Sequence, residues 1–67
     1  MSVAKVSEIS ATSPKSFEDA VQQGLQRAAK TLRNIQGAWI KEQHVVWDLE
    51  RVTVYRVNMM VTFVLDD

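Results

Sequence analysis

Arg51-Val52-Thr53-Val54-Tyr55-Arg56-Val57-Asn58-Met59-Met60-Val61-Thr62-Phe63-Val64-Leu65 is the stretch that decides the fold. It is rich in Val, Thr, Tyr and Phe and holds neither Gly nor Pro, so it reads as one long strand over 51–65. Side chains alternate along a strand, so residues two apart share a face. Tyr55, Val57, Met59, Val61, Phe63 and Leu65 form an unbroken apolar row. The opposite row, Val54, Arg56, Asn58, Met60, Thr62 and Val64, is mixed. The first row therefore asks for an apolar partner.

The partner lies upstream. Phe17, Ala20, Val21, Gly24, Leu25, Ala28, Leu32 and Ile35 recur at steps of three and four, the apolar stripe of a helix. Ser13 with Pro14 at the first helical position, or Ser16 ahead of Glu18 and Asp19, supplies the start. Arg27, Lys30 and Arg33 gather toward the far end, as the helix dipole prefers, and read as a solvated face rather than an anion site. The stripe predicts a helix to about Asn34. Gly24 inside it costs about 1 kcal/mol relative to Ala, which a close packing contact would explain. Gly37 then either takes a left-handed cap or opens the next strand.

Two more strands complete the pattern. Val3 to Ser10 reads as a short strand. Ala38 to Asp48 reads as another, joined to the last by a tight turn at Leu49-Glu50, which makes an antiparallel hairpin. The expected order is β-α-β-β, an α+β fold, with residues 1–67 as a single domain. By alternation, Ala38, Ile40, Glu42, His44 and Val46 share the helix-facing row of the middle strand. Trp39, Lys41, Gln43, Val45 and Trp47 share the other.

Sixty-seven residues make a marginal core, because a chain near 60 residues buries only about 60% of its unfolded surface. The remedies are disulfides, a metal or association. There is no Cys and one His, so disulfides, thiolate sites and a histidine cage are excluded. Association is left. One helix covers one sheet face, and the other would expose Trp39, Val45, Trp47, Val54, Met60 and Val64. A patch of that kind marks an interface, so a homo-oligomer is expected.

Lys and Arg total 8, balanced by 8 Asp and Glu, so the sequence shows no basic stripe for nucleic acid. No run reaches the roughly 20 apolar residues of a membrane helix. The N-terminus carries no secretory pattern, and the lack of Cys agrees with a cytoplasmic protein. His44 lacks a recognisable catalytic partner, and no nucleophile elbow or phosphate-binding glycine loop is present, so no enzyme is expected. Asp66-Asp67 reads as a solvated end rather than a metal-ligand pair.

The runs Thr12-Ser13-Pro14-Lys15-Ser16-Phe17-Glu18-Asp19-Ala20, Lys30-Thr31-Leu32-Arg33-Asn34-Ile35, Lys41-Glu42-Gln43, Tyr55-Arg56-Val57-Asn58 and Val61-Thr62-Phe63-Val64-Leu65-Asp66 together resemble the dodecins, small flavin-binding proteins. The resemblance spans nearly the whole chain. It implies a three-stranded antiparallel sheet wrapped around one helix, and a hollow homo-dodecamer of tetrahedral symmetry. It further implies non-enzymatic storage and sequestration of riboflavin, lumichrome or FMN, with isoalloxazine rings stacked in pairs between symmetry-related tryptophans. Some relatives bind calcium or coenzyme A instead, which is the alternative the resemblance leaves, along with a purely structural shell.

Carried over by residue, the stacking Trp of the family falls on Gly37, and Trp39 stands two residues on, as a displaced platform or an interface plug. The ring-bonding Gln falls on Arg56. A guanidinium donates to ring carbonyls or to a phosphate but accepts nothing, which tilts recognition toward an anionic ligand such as FMN. Trp39, Arg56 and Gly37 are thus the candidate cofactor-binding residues, and no metal ligands are assigned.

Overall fold

The computed structural model describes residues 3–65. Its elements are β1 (Ala4–Ser13), α1 (Phe17–Ala28), β2 (Ile35–Asp48) and β3 (Arg51–Val64). All three strands form one antiparallel sheet in the order β1-β3-β2. The order β-α-β-β and the tight hairpin are as the sequence predicts. The expected pair Asp66-Asp67 lies outside the described residues.

The strand β3 is central, which suits its unbroken pattern. Val57, Met59 and Val61 are fully buried, Phe63 nearly so, and Leu65 is exposed beyond the strand's end. Ala20 of α1 completes that core, with Ile9, Ala11, Phe17, Val21, Leu25, Leu32 and Ile35 packed around it. The ring of Phe17 meets Tyr55 edge-on, with centroids 5.1 Å apart. Each fully buried side chain of this size contributes about 1.5–3 kcal/mol of transfer free energy.

The helix begins at Ser16, whose Oγ accepts from the Asp19 amide at 2.9 Å. Ser13 is therefore not the cap. It is buried at the end of β1, where its hydroxyl donates to Asp19 Oδ2 at 2.5 Å and accepts from the Lys15 amide at 2.9 Å. β1 thus runs to Ser13 rather than Ser10, and Pro14, which offers no amide to a ladder, stops it.

At its other end the helix stops at Ala28, well short of the expected Asn34. The carbonyl of Ala28 accepts from the amides of both Thr31 and Leu32, and the Thr31 hydroxyl joins them at 3.3 Å. These turns return Leu32 to the core without another helical turn. The left-handed residue is Asn34 (φ 59°), not Gly37, which lies within β2. Asn is the non-glycine residue that tolerates this region best.

Gly24 meets the expectation of close packing. A Cβ there would lie 2.5 Å from Met59 Cε and 2.9 Å from Ala11 Cβ. The missing methyl lets α1 settle onto β1 and β3.

Register decides which residues share a face. β2 shifts register against β3 at three places, between Ile35 and Gly37, between Ile40 and Glu42, and between Val46 and Trp47. The middle shift leaves Lys41 as an extra residue and inverts everything after it. Ala38 and Ile40 pair with Val61 and Met59 on the helix side, as expected. Glu42, His44 and Val46 pair with Asn58, Arg56 and Val54, so they stand on the outer face, which corrects their assignment to the helix-facing row. Gln43 and Val45 move the opposite way, opposite Val57 and Tyr55.

Candidate functional site

The helix lies across β1 and β3 and leaves β2 uncovered. Apart from its first residue, every residue of β2 is exposed. Trp39 is 53% exposed and Trp47 67%, with Ile40, Val45 and Val46 also open to solvent. Of the second apolar face expected from the sequence, Trp39 remains beside part-exposed Val54, Met60 and Val64, and Val46 joins them, whereas the extra residue at Lys41 turns Val45 and Trp47 to the helix side. β2 is in addition bare on the side that looks toward the helix.

On the outer face, the pairing of strands arranges side chains in rows across the sheet. Gly37, Thr62 and Val6 form the first row, and Trp39, Met60 and Glu8 the second. Glu42, Asn58 and Ser10 follow, then His44, Arg56 and Thr12. Neighbouring strands lie about 4.8 Å apart, so each row places its side chains within reach of one another. The Lys41 ammonium spans to Glu8 at 3.3 Å, and the Asn58 amide donates to Glu42 Oε1 at 3.1 Å. Both acids of this face thus have partners.

The three candidate residues Gly37, Trp39 and Arg56 all stand on this one face. Gly37 and Trp39 are adjacent rows. No shift of register separates them, and no atom outside their own neighbours comes within 4 Å of a Cβ built on Gly37. Trp39 is an indole with open space beside it and the Met60 thioether across from it. Arg56 lies four residues along β3 from Met60, about 13 Å away, so a single side-chain contact does not join it to Trp39. A ligand touching both would be extended.

Reading the sequence by strict alternation missed His44. Its row with Arg56 depends on the extra residue at Lys41, and Ile40-Lys41-Glu42 contains no Gly to mark a bulge. On the opposite side of the molecule an open groove of about 640 Å³ runs between α1 and β1, past Ile9, Ala11, Gln23, Gly24, Arg27 and Leu32. None of the three candidate residues lines it.

Among the described residues, no group of three or more His, Cys, Asp or Glu side chains could hold a metal ion, and no helix is long and apolar enough to cross a membrane. Calcium takes six to eight oxygen ligands. Glu8 and Glu42, already engaged, do not supply them within one chain.

A small chain with a β-α-β-β order, one helix on an antiparallel sheet and an open aromatic outer face is the class that these features define. Residues 3–66 match the family model for dodecin, and the chain belongs to the dodecins. It is 38% identical over 63 residues to the calcium dodecin of Mycobacterium tuberculosis, covering 94% of this chain and 89% of that one. A solved dodecin of Thermus thermophilus superposes with a TM-score of 0.95 at 34% identity, over 100% of both chains. The crystal structure of the M. tuberculosis calcium dodecin, described as having a novel calcium-binding site, gives a TM-score of 0.82 at 34% identity, over 96% of this chain and 91% of that one.

Proposed function

We propose that this dodecin is a non-enzymatic flavin store that works as a hollow homo-dodecamer in the cytoplasm. Its isoalloxazine rings stack on Trp39 where copies bring their outer sheet faces together. The observation that carries this is the half-exposed Trp39 indole beside the open space at Gly37. A flat aromatic ring gains about 0.5–1.5 kcal/mol from stacking on an indole beyond the area it buries. Gly37 leaves the room, Trp39 supplies the platform one row on, and Arg56 donates hydrogen bonds to an electron-rich part of the ligand.

The calcium named for the M. tuberculosis relative supports a second reading, in which a cation is held between copies. Within one chain the acids do not fit it, so such a site would need carboxylates from several copies. The flavin reading requires only what one face already shows, with its neighbour as the second platform.

Titration of FMN and riboflavin fluorescence with the purified protein tests the proposal. Saturating quenching near one flavin per chain is expected, and Trp39→Ala should weaken it at least tenfold, about 1.4 kcal/mol. No quenching at micromolar protein, or quenching unchanged in Trp39→Ala, would overturn the stacking role.

A further inference from the structure

Past Tyr55 the sheet loses a strand. β1 pairs with β3 only between Val64 and Tyr55, so residues 46–54 continue as a two-stranded arm. Two strands alone are marginal in water unless a third strand or a helix packs on them. Yet this arm holds Trp47 and Leu49, both widely exposed. Its tip is also strained. Leu49 and Glu50 both have positive φ, where side chains are disfavoured, so an apolar and an acidic residue are kept in a turn that suits Asn-Gly.

The groove between α1 and β1 complements the arm. Part-buried Ile9, Ala11 and Leu32 line it together with exposed Arg27, and exposed Lys30 and Arg33 follow in the turns after the helix. Among the described residues the one ion pair joins Lys41 to Glu8, so these three cations have no acidic partner. Nor have Asp48 and Glu50 a basic one, and they leave the tip net negative even with Arg51 beside them. Arm and groove cannot meet within one chain. The helix starts just after Ser13, at the arm end of the sheet, and its basic end lies by Ser7, six residues or about 20 Å back along β1.

We propose that the arm of one copy seats in the α1/β1 groove of a second copy of this chain. Trp47 and Leu49 lie on the apolar lining, and Asp48 and Glu50 face Arg27, Lys30 and Arg33. The proposal rests on the homo-oligomer reading and supplies what that reading lacks. Contact through the outer faces at Trp39 joins like surfaces, and such a contact by itself stops at two copies. Arm and groove are unlike surfaces, so their contact repeats from copy to copy and closes as a ring. Exposed ion pairs add little strength each, but complementary charge selects which surfaces meet.

Dilution series followed by light scattering test this. The chains compared are wild type, Asp48→Lys with Glu50→Lys, Arg27→Glu with Lys30→Glu and Arg33→Glu, both sets combined, and Trp47→Ala. Each one-sided charge reversal should raise the concentration of half-dissociation about tenfold or more, and release species no larger than about twice 7.6 kDa. The combined set should return that concentration to within about threefold of wild type, which a merely structural role for these charges would not do. Trp47→Ala should also weaken assembly about tenfold, with the circular dichroism of the fold unchanged. Where a reversed chain fails to fold, the wild type carries the test. Raising salt from about 0.1 M to about 1 M shortens the screening length from about 10 Å to about 3 Å and should weaken its assembly.

If the wild type assembles and neither the reversals nor salt disturb it, the arm contact is wrong and the homo-oligomer stands. Reversals that disrupt assembly without rescue by the combined set would overturn the pairing of these charges, and a Trp47→Ala chain that assembles like wild type would overturn the seating of the arm. If the wild type is a monomer, the arm contact and the homo-oligomer both fall.

Discussion

The two halves of the sheet are built by opposite rules. β1 and β3 are backed by α1, and there the core is closed, with Val57, Met59 and Val61 fully buried and a glycine removing the last methyl that would hold the helix away. β2 belongs to the same sheet and is comparably apolar, yet it is exposed along almost its whole length on both faces. A strand that carried Trp39, Ile40, Val45, Val46 and Trp47 into water for no purpose would be an aggregation hazard. The difference teaches that the chain folds with one half and associates with the other. The molecule's shape agrees, since it measures 51 Å along its longest axis and only 19 Å and 13 Å across the others.

The sharpest way to break this contrast is to truncate one apolar residue in each half. Met59→Ala opens a cavity in a site with no exposure, and should lower the unfolding free energy by about 2–5 kcal/mol in denaturant titrations. Ile40→Ala, at Met59's cross-strand partner, should instead leave the secondary structure intact by circular dichroism and weaken association. Equal losses of folding stability at the two positions would erase the distinction.

A smaller effect sharpens the closed half. Gly24→Ala gains helix propensity worth about 1 kcal/mol but forces contacts that typically cost about 1–3 kcal/mol. Met59 Cε can swing away, whereas Ala11 Cβ, at 2.9 Å, cannot. A net loss of about 1 kcal/mol is expected by thermal or chemical unfolding. A gain in stability would mean that α1 does not sit as closely on β1 as described.

The smallest expected effect concerns the tip of the bare half. Leu49 and Glu50 both have positive φ, 51° and 61°, the backbone of a two-residue type I′ turn, without the Asn-Gly that this turn prefers. Replacing the pair with Asn-Gly should raise stability by about 1 kcal/mol by relieving that strain. Unchanged stability would show that the turn is not held in this conformation.

The same contrast explains what could be read from the sequence. The helix stripe and the apolar row of β3 describe the closed half, because burial on one face imposes a clean period. The element order, the hairpin and the face of Trp39 and Gly37 followed from it. β2 has no such constraint within one chain, so its pattern carries no internal check on register. One extra residue at Lys41 therefore reversed Glu42, His44 and Val46 without any sequence mark. The end of α1 was obscured in a similar way. Leu32 continues the helical stripe, yet it reaches the core through turns that end at Asn34, and a non-glycine residue in the left-handed position announces itself weakly. That Gly37, Trp39 and Arg56 share one face was legible, whereas the place of His44 opposite Arg56 was not.

Light scattering coupled to size-exclusion chromatography tests the central claim most directly, since an association surface must be occupied in solution. Twelve copies of a 7.6 kDa chain give about 91 kDa, and the wild-type protein should elute as one species near that mass. A well-folded species near 7.6 kDa at micromolar concentration would contradict the account, because β2 would then be bare without a partner to cover it.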